Sequence, residues 1–146
     1  MTFLKKLFGG GTFGGIPDPV WVLTISQDEA NWQRCNMREH SDFLDRTIRG
    51  SGGPQGVLYI LRRDKDKAPV LYLLSSKDIA TSFANVIARS LTHFHLVTPI
   101  VMSPDKLLPM IVDIPSIYVD LDPTTKHHRE YTQQDLIRLN ETLRKH

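Results

Sequence analysis

The apolar positions of this chain fall into short runs with two different spacings. Val20-Trp-Val-Leu-Thr-Ile25 is β-branched and aromatic, follows Pro17 and Pro19, and reads as a strand. Ser26, with Glu29 three residues on, makes a capping box and opens a helical reading from Gln27 to Ile48. The apolar residues there, Ala30, Trp32, Met37, Phe43, Leu44 and Ile48, do not line one clean face, and Arg49-Gly-Ser-Gly-Gly-Pro54 ends the segment. Gly56 to Arg62 and Val70 to Leu74 are the next strands. The link Arg63-Asp-Lys-Asp-Lys67 between them is short and polar, as a hairpin loop should be.

The clearest helical period follows. Ser75 with Asp78 gives a start, and Ile79, Phe83, Val86, Ile87 and Leu91 then recur at helical spacing, with Ala80, Ala84 and Ala88 allowing close approach. This face should cover a sheet, at roughly 1.5–3 kcal/mol for each large side chain fully buried. Leu96 to Met102 reads as a strand whose Pro99 lacks a ladder donor, which places it at a sheet edge or at a bulge. Ser103-Pro104-Asp105 starts a helix that Pro109 keeps short. Ile117-Tyr-Val-Asp-Leu121 is the last strand. Thr132 with Asp135 caps a final helix whose buried side is Leu136, Ile137, Leu139, Asn140 and Leu143.

This order predicts an α+β fold, a single domain with a mixed sheet of four or five strands covered by the Lys77–Leu91 helix and the C-terminal helix. Residues 16–146 form that domain. Residues 1–15 read as a tail, because Gly9-Gly10-Gly11-Thr12-Phe13-Gly14-Gly15 is a flexible tether. Ahead of the tether, Phe3, Leu4, Leu7 and Phe8 beside Lys5 and Lys6 would make a short amphipathic helix. It is read either as weak docking on a membrane or a partner, or as a frayed terminus.

Composition narrows the function classes. A chain of 146 residues can bury its own core, and 40% hydrophobic with 23% charged residues argues against disorder. A net charge of +2, with no basic stripe among aromatics, gives no footprint for nucleic acid. Cys35 is the single cysteine, so an internal disulfide and a thiolate zinc cluster are excluded, and a reducing compartment fits. Pairing of Cys35 with one of six histidines stands beside the plainer reading of an inert thiol in a helix. No apolar run approaches the twenty or so residues that span a bilayer, and the opening Met1 to Phe8 is too short for a secretory signal. A cytoplasmic protein without a cofactor is the expectation.

Three groups of residues carry possible chemistry. Ser103-Pro-Asp-Lys106 spells Ser-x-x-Lys, but the companion elements of penicillin-recognising enzymes are missing and helix capping explains the serine. His93 and His95 share one face of an extended segment and suit zinc or acid–base work, or simply a polar strand edge around Phe94. Asp120 and Asp122 lie two apart at a strand end, so both carboxylates can reach one divalent cation, with Asp113, His127 and His128 nearby in sequence. Such a site would serve a metal-dependent hydrolase. The alternative is that acids before Pro123 are ordinary turn formers. Trp21, Trp32, Tyr59, Tyr72 and Tyr118 sit on or near strands; most should be core, but a sheet face or edge left uncovered would make a protein-binding surface.

From about Asp28 to Leu143 the chain resembles the N-terminal domain of the enhanced serine sensitivity protein B (SseB-like) family. The likeness rests on Val57-Leu-Tyr-Ile-Leu61, on Leu74-Ser75-Ser76 before Lys77-Asp78, on Asp105-Lys-Leu-Leu108, on Asp122-Pro123 closing a strand, and on the Thr132-to-Asp135 helix start. Leu74 stands where the family usually has Phe, and Asp122 where it has Asn. The resemblance implies a bacterial mixed α/β domain, associated with stress phenotypes or secretion and toxin settings, and it brings no catalytic residues. The expected function is therefore a non-enzymatic interaction module, binding another protein or itself.

Overall fold

The computed structural model describes residues 12–25, 47–48, 56–63, 66, 68–90 and 97–144. Two short strands, β1 (Thr12–Phe13) and β2 (Ile16–Pro17), open it as an antiparallel hairpin. The remaining strands are β3 (Val20–Ile25), β4 (Thr47–Ile48), β5 (Gly56–Leu58), β6 (Ile60–Arg62), β7 (Pro69–Leu74), β8 (Val97–Met102), β9 (Tyr118–Leu121) and β10 (Arg129–Tyr131). The described helices are α1 (Lys77–Ser90), α2 (Pro104–Ile111) and α3 (Gln133–Arg144). One mixed sheet runs β10-β9-β7-β3-β5-β4, with β6 alongside β7 and β8 alongside β3. The fold is α+β in a single domain, with more strands than the four or five expected.

β3 holds the sheet together because its alternation serves two cores. Val20 and Val22 enter a cluster with Leu71, Leu73, Val119 and Leu121, which α2 closes with Leu107, Leu108 and Ile111 and α3 with Leu136. Trp21, Leu23 and Ile25 point to the opposite face, where α1 lays Ala80, Ala84 and Phe83 against them. Thr24 is buried, and its hydroxyl donates to the Thr98 carbonyl at 2.9 Å. β7 and β9 run parallel, Val70 beside Tyr118 through Leu73 beside Leu121, so α1, β8 and α2 form the crossover that parallel pairing requires.

Several local expectations change on folding. The run from Gly56 to Arg62 divides at Tyr59, whose N–H donates to the Leu23 carbonyl at 3.0 Å. β5 pairs with β3, while β6 pairs with β7. The β6–β7 hairpin itself is as expected. β8 pairs with β3 alone among the described strands, which puts Pro99 on an edge. Ser76, not Ser75, caps α1 by accepting the Ile79 N–H at 3.2 Å. Ser103 holds the extended N-cap position of α2, but only its carbonyl is engaged, by Lys106 and Leu107. Val86, expected in the core, is 61% exposed. Thr47–Ile48, the end of the helix expected from Gln27, is a strand, and the rest of that helix, with Trp32 and Cys35, lies outside the described residues.

The glycine tether also needs correction at its C-terminal end. Thr12–Phe13 is a strand, and Gly14 and Gly15, at φ +59° and +88°, form the turn back to Ile16, which is fully buried. A Cβ on Gly14 would collide with Leu139, and one on Gly15 with the Arg129 guanidinium. The domain therefore starts at least as early as Thr12, ahead of the expected boundary at residue 16. Phe3, Leu4, Leu7 and Phe8 lie outside the described residues. Gly14→Ala is expected to lower stability by about 1–2 kcal/mol, through left-handed backbone strain and displacement of Leu139, read from the urea unfolding midpoint.

Candidate functional site

The metal-site residues expected from sequence part company where the chain leaves β9. Asp120 is still on the strand and half-buried. Asp122 lies beyond it with φ +48°, a left-handed conformation that Asp tolerates better than most residues. That turn breaks the alternation that would have set the two carboxylates side by side. Asp122 is instead 6% exposed. Its N–H donates to the Leu73 carbonyl at 2.8 Å, and its Oδ1 accepts the Ser75 N–H at 2.8 Å. It prolongs the β7–β9 ladder by one side-chain step and fixes where β7 passes into α1.

The loop after Asp122 is ordered by Thr125. The Thr125 hydroxyl donates to the Asp122 carbonyl at 2.8 Å and accepts the His127 N–H at 3.1 Å, and the Thr125 carbonyl accepts the His128 N–H at 3.2 Å. This turn returns the chain as β10 and swings His128 back, so that its Nε2 lies 3.2 Å from Asp120 Oδ1. His127 is exposed, and Asp113 sits in the segment after α2. Asp120 and His128 are thus brought together, while Asp122 is committed to the backbone. Among the described residues, no group of three His, Cys, Asp or Glu side chains is placed to hold a metal ion. His93 and His95 lie outside the described residues; Lys106 of the Ser-x-x-Lys pattern is exposed on α2.

What the strand register does assemble is a half-face of the sheet. Tyr72, Asp120 and Glu130 are neighbours across β7, β9 and β10, and Leu61, Val70 and Tyr118 are neighbours across β6, β7 and β9. α1 packs on β3, β7 and β8, on the same side as Tyr72, and α2 and α3 lie on the other face. The region over β9 and β10 is therefore covered by none of the described helices. Tyr72 and Tyr118 are half-buried at its floor. The Phe83 ring stands against Tyr72 with centroids 5.8 Å apart, and Val86, three residues beyond Phe83 on α1, is exposed.

Arg63, at the end of β6, organises the other border. Its guanidinium lies 3.7 Å above the Tyr118 ring centroid, binds both oxygens of Asp66 at 2.6 and 3.2 Å, and reaches Glu130 at 3.2 Å. The Asp66 hydrogen bond is the main reason its pKa is raised above the ordinary arginine value, against the opposing effect of burial and with Glu130 adding to it. Arg63 therefore stays charged at any working pH. Nothing local hints at this role, since Arg63 reads from sequence as part of a solvated loop tip.

β10 feeds α3 through the expected capping box. Asp135 Oδ2 accepts the Thr132 N–H at 2.9 Å, and the Thr132 hydroxyl accepts the Asp135 N–H at 3.3 Å. The Thr132 N–H, aided by its hydroxyl and by Arg138, outweighs desolvation and holds the Asp135 carboxyl below its ordinary value of 3.8. A lowered carboxyl pKa stabilises the fold above the unfolded value, and the gain is lost as pH falls through the folded one. Asp135→Asn should therefore cost about 1 kcal/mol or less near neutrality, since the pair is partly exposed, with the deficit shrinking below pH 3.8 in paired urea titrations.

None of the described helices is long and apolar enough to cross a membrane. Set against protein-family models, curated proteins and solved structures, the chain matches none of them.

Proposed function

We propose that this chain is a non-enzymatic, cytoplasmic protein-interaction module, akin to SseB-like domains, whose contact surface is the half-face over β9 and β10. The observation that carries this reading is the make-up of that face. Tyr72, Tyr118 and Phe83 give a rigid aromatic floor, and Arg63, Asp120, His128 and Glu130 ring it with both signs of charge. Aromatic residues and arginine are the side chains that concentrate binding energy at protein interfaces. A face bearing both signs is complementary to its own copy about a two-fold axis, so self-association is the leading partner choice and a different protein the other. A link to stress response or to secretion and toxin systems rests on the SseB-like resemblance.

Val86→Glu tests the face without touching the core, because Val86 is already 61% exposed. It is expected to weaken self-association by about tenfold or more in light-scattering dilution series, with the melting temperature unchanged. Unaltered self-association in this variant would place the contact elsewhere.

The meeting of Asp120 with His128 favours a second reading, a metal-dependent hydrolase in which these two side chains are the ones that could reach a cation. Calorimetric titration with manganese, magnesium and zinc separates the two. Binding abolished by Asp120→Ala supports the hydrolase, and no binding removes it.

A further inference from the structure

A groove of about 480 Å³ lies between the Gly14–Gly15 turn, β10 and α3, and shares Glu130 with the rim of the association face. Two guanidiniums, Arg129 and Arg138, and two acidic residues, Glu130 and Asp135, line it. Both carboxylates are already engaged. Asp135 binds Thr132 and, at 3.0 Å, Arg138, while Glu130 binds Arg63. Arg129 faces no carboxylate within ion-pair distance among the described residues. Among the described residues, one positive charge in the groove is left without a counter-charge.

That charge is also positioned. A Cβ on Gly15 would collide with both Arg129 Nη1 and the Tyr131 hydroxyl, so guanidinium and phenol flank the same bare glycine. The Tyr131 hydroxyl donates to the Gly14 carbonyl at 2.8 Å and pins the turn in place. Leu139, half-buried, adds an apolar wall packed against Gly14. A planar guanidinium presents paired N–H groups that match the two oxygens of a carboxylate or a phosphate. Asp135 on the groove wall repels a phosphate dianion more than a monoanion, whereas a single negative charge balances Arg129.

We propose that this groove binds a monoanionic carboxylate on a short apolar stem, with Arg129 taking the carboxylate and Leu139 receiving the stem. The volume suits a ligand of that size. The carboxylate can come from a free short-chain acid or from the C-terminus of a peptide, and the two are separable. The full chain is titrated calorimetrically with hexanoate, with an acetylated pentapeptide ending in leucine and a free carboxylate, with the amide of that peptide, and with inorganic phosphate. Binding of a free carboxylate is expected, with phosphate and the amide at least about tenfold weaker. Tighter binding of the peptide assigns the site to a chain terminus, and tighter hexanoate to a small acid. Arg129→Gln, at an exposed position, is expected to lose at least about tenfold in affinity with an unchanged melting temperature, and Arg129→Lys to lose less. The proposal is overturned if neither carboxylate binds, if the amide or phosphate binds as tightly, or if Arg129→Gln leaves the affinity unchanged. Arg129 is not among the residues of the association face, so its substitution reads the groove separately from self-association.

Discussion

Asp122→Ala is expected to destabilise the protein by about 2–3 kcal/mol. Two costs combine. The Ser75 N–H, partly buried at the entry to α1, loses its acceptor, and alanine must adopt a left-handed backbone at φ +48° that Asp tolerates more readily. Asp122→Asn is the informative control. Its amide oxygen can accept the same N–H, and Asn also tolerates this conformation, so most of the stability should return. Urea unfolding of both variants reads the effect directly. A stable alanine variant would mean that Asp122 is held for something other than the fold, and the hydrolase reading would gain.

The other large effect is expected from Leu136→Ala, at about 2–5 kcal/mol. Leu136 is fully buried, while Leu139 and Leu143 only border the same core. Truncating it removes the anchor of α3, and the capping box and the Gln133 links cannot hold the helix against the sheet unaided. Those links tie Gln133 to the Ser116 N–H at 3.0 Å and to the Val112 carbonyl at 2.9 Å. Hydrogen exchange should show α3 amides losing protection ahead of β3 and β7, and the melting temperature should fall. Full protection of α3 in the variant would show that the helix is held by its polar ends.

The elements legible in the sequence are those whose signal is local. β3 shows itself by composition, α1 by period and α3 by the Thr132–Asp135 box. Pro99 limits β8 to a sheet edge or a bulge, and its pairing with β3 alone among the described strands makes it the edge. What was not legible depends on partners far along the chain. β10 is three residues of which two are charged, and only its ladder to β9 makes it a strand. The division at Tyr59 is created by β3 and β7 competing for one segment. Asp120 and Asp122 read as a pair because the residues that turn Asp122 aside, Leu73 and Ser75, lie 47 or more positions earlier. The β1–β2 hairpin was legible in principle. Phe13-Gly14-Gly15-Ile16 is a two-glycine turn between apolar residues, a hairpin signal hidden inside a glycine-rich run.

The association face follows the same logic. Tyr72, Asp120 and Glu130 become neighbours only through the β7–β9 and β9–β10 registers. The apolar stripe of α1 reads as broad enough to be buried throughout, yet among the described helices none covers β9 and β10 on that side, and Val86 is exposed. The sequence reading puts most aromatics in the core, and which tyrosines share a face is set by the strand registers.

Sedimentation velocity of the intact chain over a wide concentration series bears most directly on the claim that this face joins two copies. The account predicts a weight-average mass rising from 16.7 kDa towards twice that value, with the rise suppressed in Val86→Glu. A mass fixed at 16.7 kDa at every concentration would contradict it.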